Sequence, residues 1–230
     1  MSEISASTRK SRSDFIAEQL EEAVINGVFP AGSRLDEASI ALQFGVSRTP
    51  VREALHILCG RGWAEREPFK GVVVTQISAE RIDEMFEAMA ELEATCGRLA
   101  SHRMTMSERG ELESLHRQMN VLAEEGENDG YNELNTRFHN LLFQGSHNSD
   151  LIAVAQTLRL KLAPFRKFQL KDKGRIKQSC REHQQIVDAI LDQDAKAAES
   201  ALRRHLVSAA QEVLTRRQRQ EDETVSVTTP

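Results

Sequence analysis

The chain has 230 residues, 30 of them Lys or Arg and 35 Asp or Glu, for a formal charge of -5. A composition 40% hydrophobic and 28% charged excludes wholesale disorder and a disulfide-dense mini-protein, and the length allows one large domain or two ordinary ones. The charge also excludes a polycation that holds nucleic acid by bulk attraction, so any such partner must be met by a local patch.

Residues 1–12 are expected to be an unstructured arm carrying Arg9, Lys10 and Arg12. From Asp14 to Asn26, Phe15, Ile16, Leu20, Ala23 and Val24 recur at helical spacing, and Gly27 supplies a stop. After Phe29-Pro30-Ala31-Gly32, the segment Asp36 to Phe44 predicts a second short helix, broken by Gly45. A third starts with Ser47 as N-cap and runs to about Leu58, with Pro50 in the first turn, where backbone N–H groups lack intrahelical partners. Val72 to Thr75 is strand-forming, and Pro68-Phe69-Lys70-Gly71 between it and Trp63 to Glu67 predicts a hairpin tip. Helix, helix, helix, hairpin is the pattern of a winged helix-turn-helix.

Beyond Ser78 the period is helical. The first stripe is Ile82, Met85, Phe86, Met89, Leu92, Cys96, Leu99, and the last two are Ile186, Val187, Ile190, Leu191 and Ala198, Ala201, Leu202, Ala209, Val213. Six such stripes with short connections predict an antiparallel bundle. The fold class is therefore mainly α: an N-terminal winged helix-turn-helix over 1–76, an all-α bundle of six to seven helices over 77–217, and a flexible tail over 218–230. The boundary falls near Gln76, where strand chemistry ends. Cys59, Cys96 and Cys180 form no C-x-x-C pair and are expected to be small buried thiols in a reducing compartment. The longest apolar run, Leu151 to Ala155, is far short of the ~20 residues of a membrane span, so a soluble, cytoplasmic chain with no membrane partner is expected.

The run from Phe44 to Leu55 carries the first functional signal. A recognition helix presents its N-terminal side chains to base edges and phosphates, and Ser47, Arg48, Thr49 and Arg52 lie in these first turns. Arg48 and Arg52 are four apart and share one face, while Val51, Ala54, Leu55 and Leu58 take the other. Either arginine can bind guanine O6 and N7 bidentately or hold a phosphate; on these two residues alone a solvated surface helix is the competing alternative. Residues 14–75 resemble the GntR family of bacterial transcription regulators through Phe29-Pro30-Ala31-Gly32, Leu35, Glu37, the run Gly45-Val46-Ser47-Arg48-Thr49-Pro50-Val51-Arg52-Glu53-Ala54-Leu55, and Gly71. The resemblance implies major-groove reading by Arg48, Thr49 and Arg52, with Lys70 and Gly71 of the wing approaching the minor groove. Ala38 departs from members that place a DNA-touching arginine there. Ser47 to Gly71 holds five basic and three acidic residues, a modest patch that favours a homodimer on two-fold half-sites of a double-stranded operator.

Of seven histidines, His139, His183 and His205 stand out. His183 precedes Ile186 and Val187 by three and four residues, His205 follows Ala201 and Leu202 by four and three, and His139 lies on the edge of the Leu134, Phe138, Leu141 stripe. Buried imidazoles need partners. From spacing alone, three separately satisfied core histidines and a shared divalent-metal site with Asn135 as an oxygen ligand both stand. His116, inward beside Leu112 and Met119, illustrates the former.

The helical region, residues 78–217, resembles the FCD ligand-binding domain of the FadR subfamily through Glu91-Leu92-Glu93, Asn135-x-x-Phe138-His139, Glu182-His183-x-x-Ile186-x-x-Ala189-Ile190 and His205-Leu206. The resemblance implies that Asn135, His139, His183 and His205 hold a metal, zinc first and nickel as the alternative. Asn135 stands where many members have aspartate, and Met89 where members often have a carboxylate-clamping arginine. Arg159 and Arg166 are candidate substitutes in effector binding.

These features lead to the expectation of a homodimeric, sequence-specific transcription regulator, acting as a repressor, whose operator affinity responds to a small carboxylate bound in the helical domain. The alternatives are a metal-stabilised regulator without effector, and a metal-dependent hydrolase. An enzyme is not expected, because there is no H-E-x-x-H arrangement and the nearby Glu182 and Asp188 fall at surface-facing positions.

Overall fold

The computed structural model describes residues 11–25, 28–75, 77–170 and 172–228, so Arg9 and Lys10 of the basic arm, the stop at Gly27 and the boundary residue Gln76 lie outside the described residues. The chain divides into two compact units, Met1–Ile77 and Ser78–Pro230.

In the first unit, α1 (Arg12–Ile25), α2 (Glu37–Phe44) and α3 (Arg48–Arg61) precede β1 (Ala64–Glu67) and β2 (Gly71–Val74). Asp36 caps α2 by accepting from the backbone N–H of Ser39 at 2.9 Å. Gly45 ends it at φ +62°, in the left-handed region, and its N–H bonds the last carbonyls of the helix. A side chain there would strain the turn that redirects the chain into α3. Ile16, Leu20, Ile40, Val51, Ala54, Leu55, Leu58 and Trp63 are buried, so α3 uses the apolar face expected of it. The strands pair antiparallel from Ala64↔Val74 to Glu67↔Gly71. The segment before α2 also joins this sheet through an Arg34↔Val73 bridge, which spacing alone did not suggest.

In the second unit α4 (Ala79–Arg103), α5 (Met106–Glu125), α6 (Asn128–Gly145), α7 (Ser149–Gln169), α8 (Lys173–Leu191) and α9 (Ala195–Thr228) form the bundle. Thr105 and Glu108 close a capping box at the start of α5. Its core includes Met104, Leu112, Leu115, Met119, Phe138, Leu142, Ile186, Ile190, Ala198 and Leu202. Helix α9 comes so close to α4 that a Cβ on Gly97 would lie 2.1 Å from Leu202 Cδ1. Arg109 is buried, donating to the carbonyls of Met104, Ser101 and Ile190, and so joins α8 to the end of α4. Helix α9 continues past residue 218 to Thr228; no proline or glycine follows Gly174 until Pro230 to interrupt it. Among the described residues, no helix is long and apolar enough to cross a membrane. The three cysteines are free, Cys96 and Cys180 being buried.

Candidate functional site

The first unit presents Ser47, Arg48, Thr49 and Arg52 on the exposed face at the start of α3. Ser47 occupies the N-cap position, but its side chain makes no capping hydrogen bond, which leaves an uncommitted hydroxyl beside Arg48. Arg52 Nε donates to Glu37 Oε2 at 2.7 Å, so α2 holds the guanidinium in one orientation. At the wing, Lys70 pairs with Glu67 at 2.7 Å, and Gly71 opens β2 at φ +86°.

In the second unit α6, α8 and α9 bring His139, His183 and His205 together, with their candidate ligand atoms within 4.8 Å of one another. All three are at least 98% buried. His139 places Nδ1 2.6 Å from Glu93 Oε2, and His205 places Nδ1 2.7 Å from Glu182 Oε2. A carboxylate accepts, so Nδ1 of each ring carries the proton and Nε2 keeps its lone pair. Burial, reinforced for His139 by Arg159 and Arg166 and for His183 by His205 and His139, pushes their pKa values well below the ordinary range; that of His205 is also lowered, by burial first. Neutral imidazole is the form that binds a metal.

His183 and His205 have Nε2 atoms 3.4 Å apart. Two nitrogens on a tetrahedral zinc, at bond lengths of about 2.0–2.1 Å, stand about 3.4 Å apart, so this pair fits such an ion. Asn135 is buried with Oδ1 lacking any hydrogen-bond partner, a free oxygen donor on the same face of α6 as His139, one turn away. By contrast His116 is separately satisfied, with Nε2 3.1 Å from the Cys180 carbonyl.

Arg159 and Arg166 of α7 are buried beside the triad. Arg159 donates to Glu93 Oε1 at 2.9 Å and to the Asn135 carbonyl at 3.3 Å. Arg166 reaches Glu93 Oε1 at 3.4 Å and His139 Nε2 at 3.2 Å. One carboxylate thus faces two guanidiniums and an imidazole, leaving this corner positive. Met89 is buried and supplies no charge.

Glu93 and Arg175 escaped notice as site residues, and Glu182 had been assigned to the surface. Glu182 is instead half-buried, accepting from Arg175, His205 and Ser208. Burial alone would raise its pKa, but the hydrogen bond and charge of His205, with Arg175 and Ser208, hold it down at about 2. A signal existed for both acids: Glu93 lies four residues after Met89 on the buried face of α4, and Glu182 seven after Arg175 on α8.

A winged helix-turn-helix followed in the chain by a helical bundle with a histidine-lined interior defines a DNA-binding regulator with a second, ligand-type domain. The family "Bacterial regulatory proteins, gntR family" matches residues 12–74 and the FCD domain family residues 84–208. The chain is 29% identical over 198 residues, 85% of its length and 84% of the relative's, to a probable D-xylose utilization operon transcriptional repressor of Paenarthrobacter nicotinovorans. It is 26% identical over 211 residues, 83% and 91% of the two chains, to the galactonate operon transcriptional repressor of Escherichia coli K12. Its fold is similar to that of McbR/YncC from E. coli, with TM-score 0.70 at 20% identity over 90% of this chain and 99% of that one. The chain belongs to the GntR family of bacterial transcription regulators and carries an FCD domain in its second unit.

Proposed function

We propose that this regulator is a cytoplasmic, homodimeric repressor that reads a two-fold operator through Ser47, Arg48, Thr49 and Arg52, with Lys70 and Gly71 at the minor groove, and responds to a small carboxylate in its helical unit. The observation that carries the effector half is the juxtaposition of three buried imidazoles with two buried guanidiniums that share a single carboxylate. His139, His183 and His205, with Asn135 as a neutral oxygen donor, hold a divalent metal, zinc by preference and nickel second. When bound, the metal supplies a Lewis-acidic position for one carboxylate oxygen. His139 Nε2 has one lone pair, so a metal there replaces the Arg166 hydrogen bond and leaves that guanidinium, with Arg159, to face the acid. The two relatives named as repressors of sugar and sugar-acid operons support the direction of regulation. Effector binding changes operator affinity only by favouring one of two arrangements of the reading heads.

Elemental analysis of the purified protein, then thermal unfolding with metal and an organic-acid panel, tests this. One metal per chain and a further rise in Tm with one class of acid are expected. A response to metal alone would leave the metal a structural role, and no bound metal would remove the centre.

A further inference from the structure

The wing ends in an aromatic side chain that the fold does not use. Phe69 is fully exposed, the most exposed of the large apolar residues described, while the strands beside it bury Ala64, Val72, Val73 and Val74. A solvated ring forgoes the burial that makes aromatic residues dominate cores and interfaces. Single exposed apolar residues are ordinary on protein surfaces, but two further features set this one apart.

The first is its backbone. Glu67, Pro68, Phe69 and Lys70 form a turn in which the Lys70 N–H donates to the Glu67 carbonyl at 3.3 Å. Pro68 restricts φ at the second position, and Phe69, at the third, adopts φ +66°. Gly or Asn ordinarily takes that left-handed position, because a Cβ crowds the backbone there. The turn thus accepts a costly conformation and holds a bulky ring clear of the hairpin; such conformations cluster where a ligand is gripped. The second feature is charge. Lys70 follows the ring in sequence, Arg66 is exposed on β1, and Arg34 Nε lies 3.8 Å from where a Cβ on Gly71 would stand. Glu67 pairs with Lys70, and Asp36 stands 3.9 Å from Arg34, which leaves a weakly positive, apolar point. A polyanion with an apolar, stacked interior fits such a point, and duplex DNA is one. The same turn carries Lys70 and opens onto Gly71, so the ring is continuous with the surface assigned to the minor groove.

We propose that Phe69 is a wedge: its ring enters the minor groove beside each half-site and partly unstacks one base step, so that the protein bends its operator and reads how easily that step kinks. This rests on the reading of DNA by α3 and the wing. Apolar side chains inserted between base pairs kink the duplex by about 20–90° toward the major groove. TA and CA/TG steps open most easily, whereas A-tracts are stiff. Discrimination of this kind needs no hydrogen bond to a base edge, which a phenyl ring cannot make. The ring also displaces no counterion, so it adds affinity without adding salt dependence, in contrast to a lysine on a phosphate.

The probes are duplexes selected from a random-sequence library by the full-length, zinc-supplied protein. Selection should enrich TA or CA/TG beside the half-sites, and changing that step to AA should weaken binding about five- to tenfold. Circularly permuted gel shifts should show a bend. Phe69→Ala should lose about five- to 20-fold in affinity, bring the bend near that of the free duplex and abolish the step preference, with the salt slope unchanged. Phe69→Leu keeps an apolar wedge and should retain most of the bend and the preference. Lys70→Ala should instead lower the salt slope by about one and keep the step preference. An unchanged Tm, expected because the ring lies outside the core, certifies each variant as folded. No enrichment of flexible steps, a Phe69→Ala protein that bends DNA as wild type does, or a loss that Phe69→Leu shares in full would overturn the wedge and leave α3 as the reader. Recovery of no preferred duplex at all would instead remove the DNA reading on which the wedge rests.

Discussion

Glu93 accepts a hydrogen bond from Nδ1 of His139 at 2.6 Å, and through it a residue of α4 decides which nitrogen of an α6 imidazole is free for a metal. The same carboxylate carries the only negative charge within ion-pair distance of Arg159 and Arg166 among the described residues. Glu93→Gln removes that charge and lets the ring choose its tautomer. Zinc affinity, measured by competition with a chromophoric chelator, should fall about 10- to 100-fold. The metal-free variant should also lose about 3–5 kcal/mol in urea unfolding, because two guanidiniums are left buried without an anion. Unchanged zinc affinity would assign Glu93 to packing alone.

Asn135 gives a prediction with two signs. Its Oδ1 is buried and unpartnered, so Asn135→Asp supplies an anionic donor where a neutral one stands. Zinc should bind about tenfold tighter, while the metal-free variant should melt lower than wild type because the new charge is buried. A zinc-induced rise in Tm no larger than that of wild type would argue that Asn135 does not face the ion.

Arg48 and Arg52 should separate in operator binding. Arg48 is exposed and makes no ion pair among the described residues, whereas Arg52 is held by Glu37 at 2.7 Å. Arg48→Ala or Arg52→Ala should each cost about 1–3 kcal/mol in gel-shift affinity and relax discrimination at one base pair if it reads a base. Glu37→Ala should relax discrimination at the position read by Arg52 and leave that of Arg48 intact. Arg52 losses equal for every operator variant would make it a phosphate contact instead.

The reading head was legible because its signals are local: Ser47, Pro50 and the Val51–Leu58 apolar face lie within one helix, and the hairpin is punctuated by Pro68 and Gly71. The three histidines were legible as inward-pointing, but their convergence within 4.8 Å depends on how α6, α8 and α9 pack, which no spacing along one helix encodes. Glu182 was misassigned for the same reason: on α8 alone it sits at the edge of the apolar face, and only α9 brings His205 and Ser208 against it. Arg159 and Arg166 could be named, yet solvated and buried arginines have the same sequence; Glu93, on another helix, distinguishes them.

Gly97 tests the closest approach of α4 and α9. A methyl group there would meet Leu202 Cδ1 at 2.1 Å and the Ala198 carbonyl at 3.8 Å. Leu202 is fully buried and has little room to turn away, so the helices must part. Gly97→Ala should cost about 1–3 kcal/mol in denaturant unfolding, even though alanine favours the helix itself by about 1 kcal/mol. A variant as stable as wild type would mean that Leu202 has a second rotamer available.

Arg61 and Glu21 give the first unit a pH-dependent prediction. Glu21 is buried on α1, and Arg61 at the end of α3 donates to it at 2.6 Å. Burial raises the Glu21 pKa above the ordinary 4.5, and the Arg61 hydrogen bond and charge partly offset this. Arg61→Ala removes both offsets, so the carboxyl moves further up. A carboxyl whose folded pKa exceeds its unfolded value binds more protons when folded; its contribution is most favourable at low pH and is lost as pH rises from 4.5 through the folded pKa. The variant should therefore be about 1–3 kcal/mol less stable than wild type at neutral pH. The deficit should shrink as the pH is lowered toward the ordinary carboxylate range, because Glu21 then takes up a proton instead of standing as a buried, unpaired charge. Urea melts of both proteins over that range provide the measurement. A deficit constant with pH would show that the loss is one of side-chain packing and that the charge of Glu21 plays no part in it.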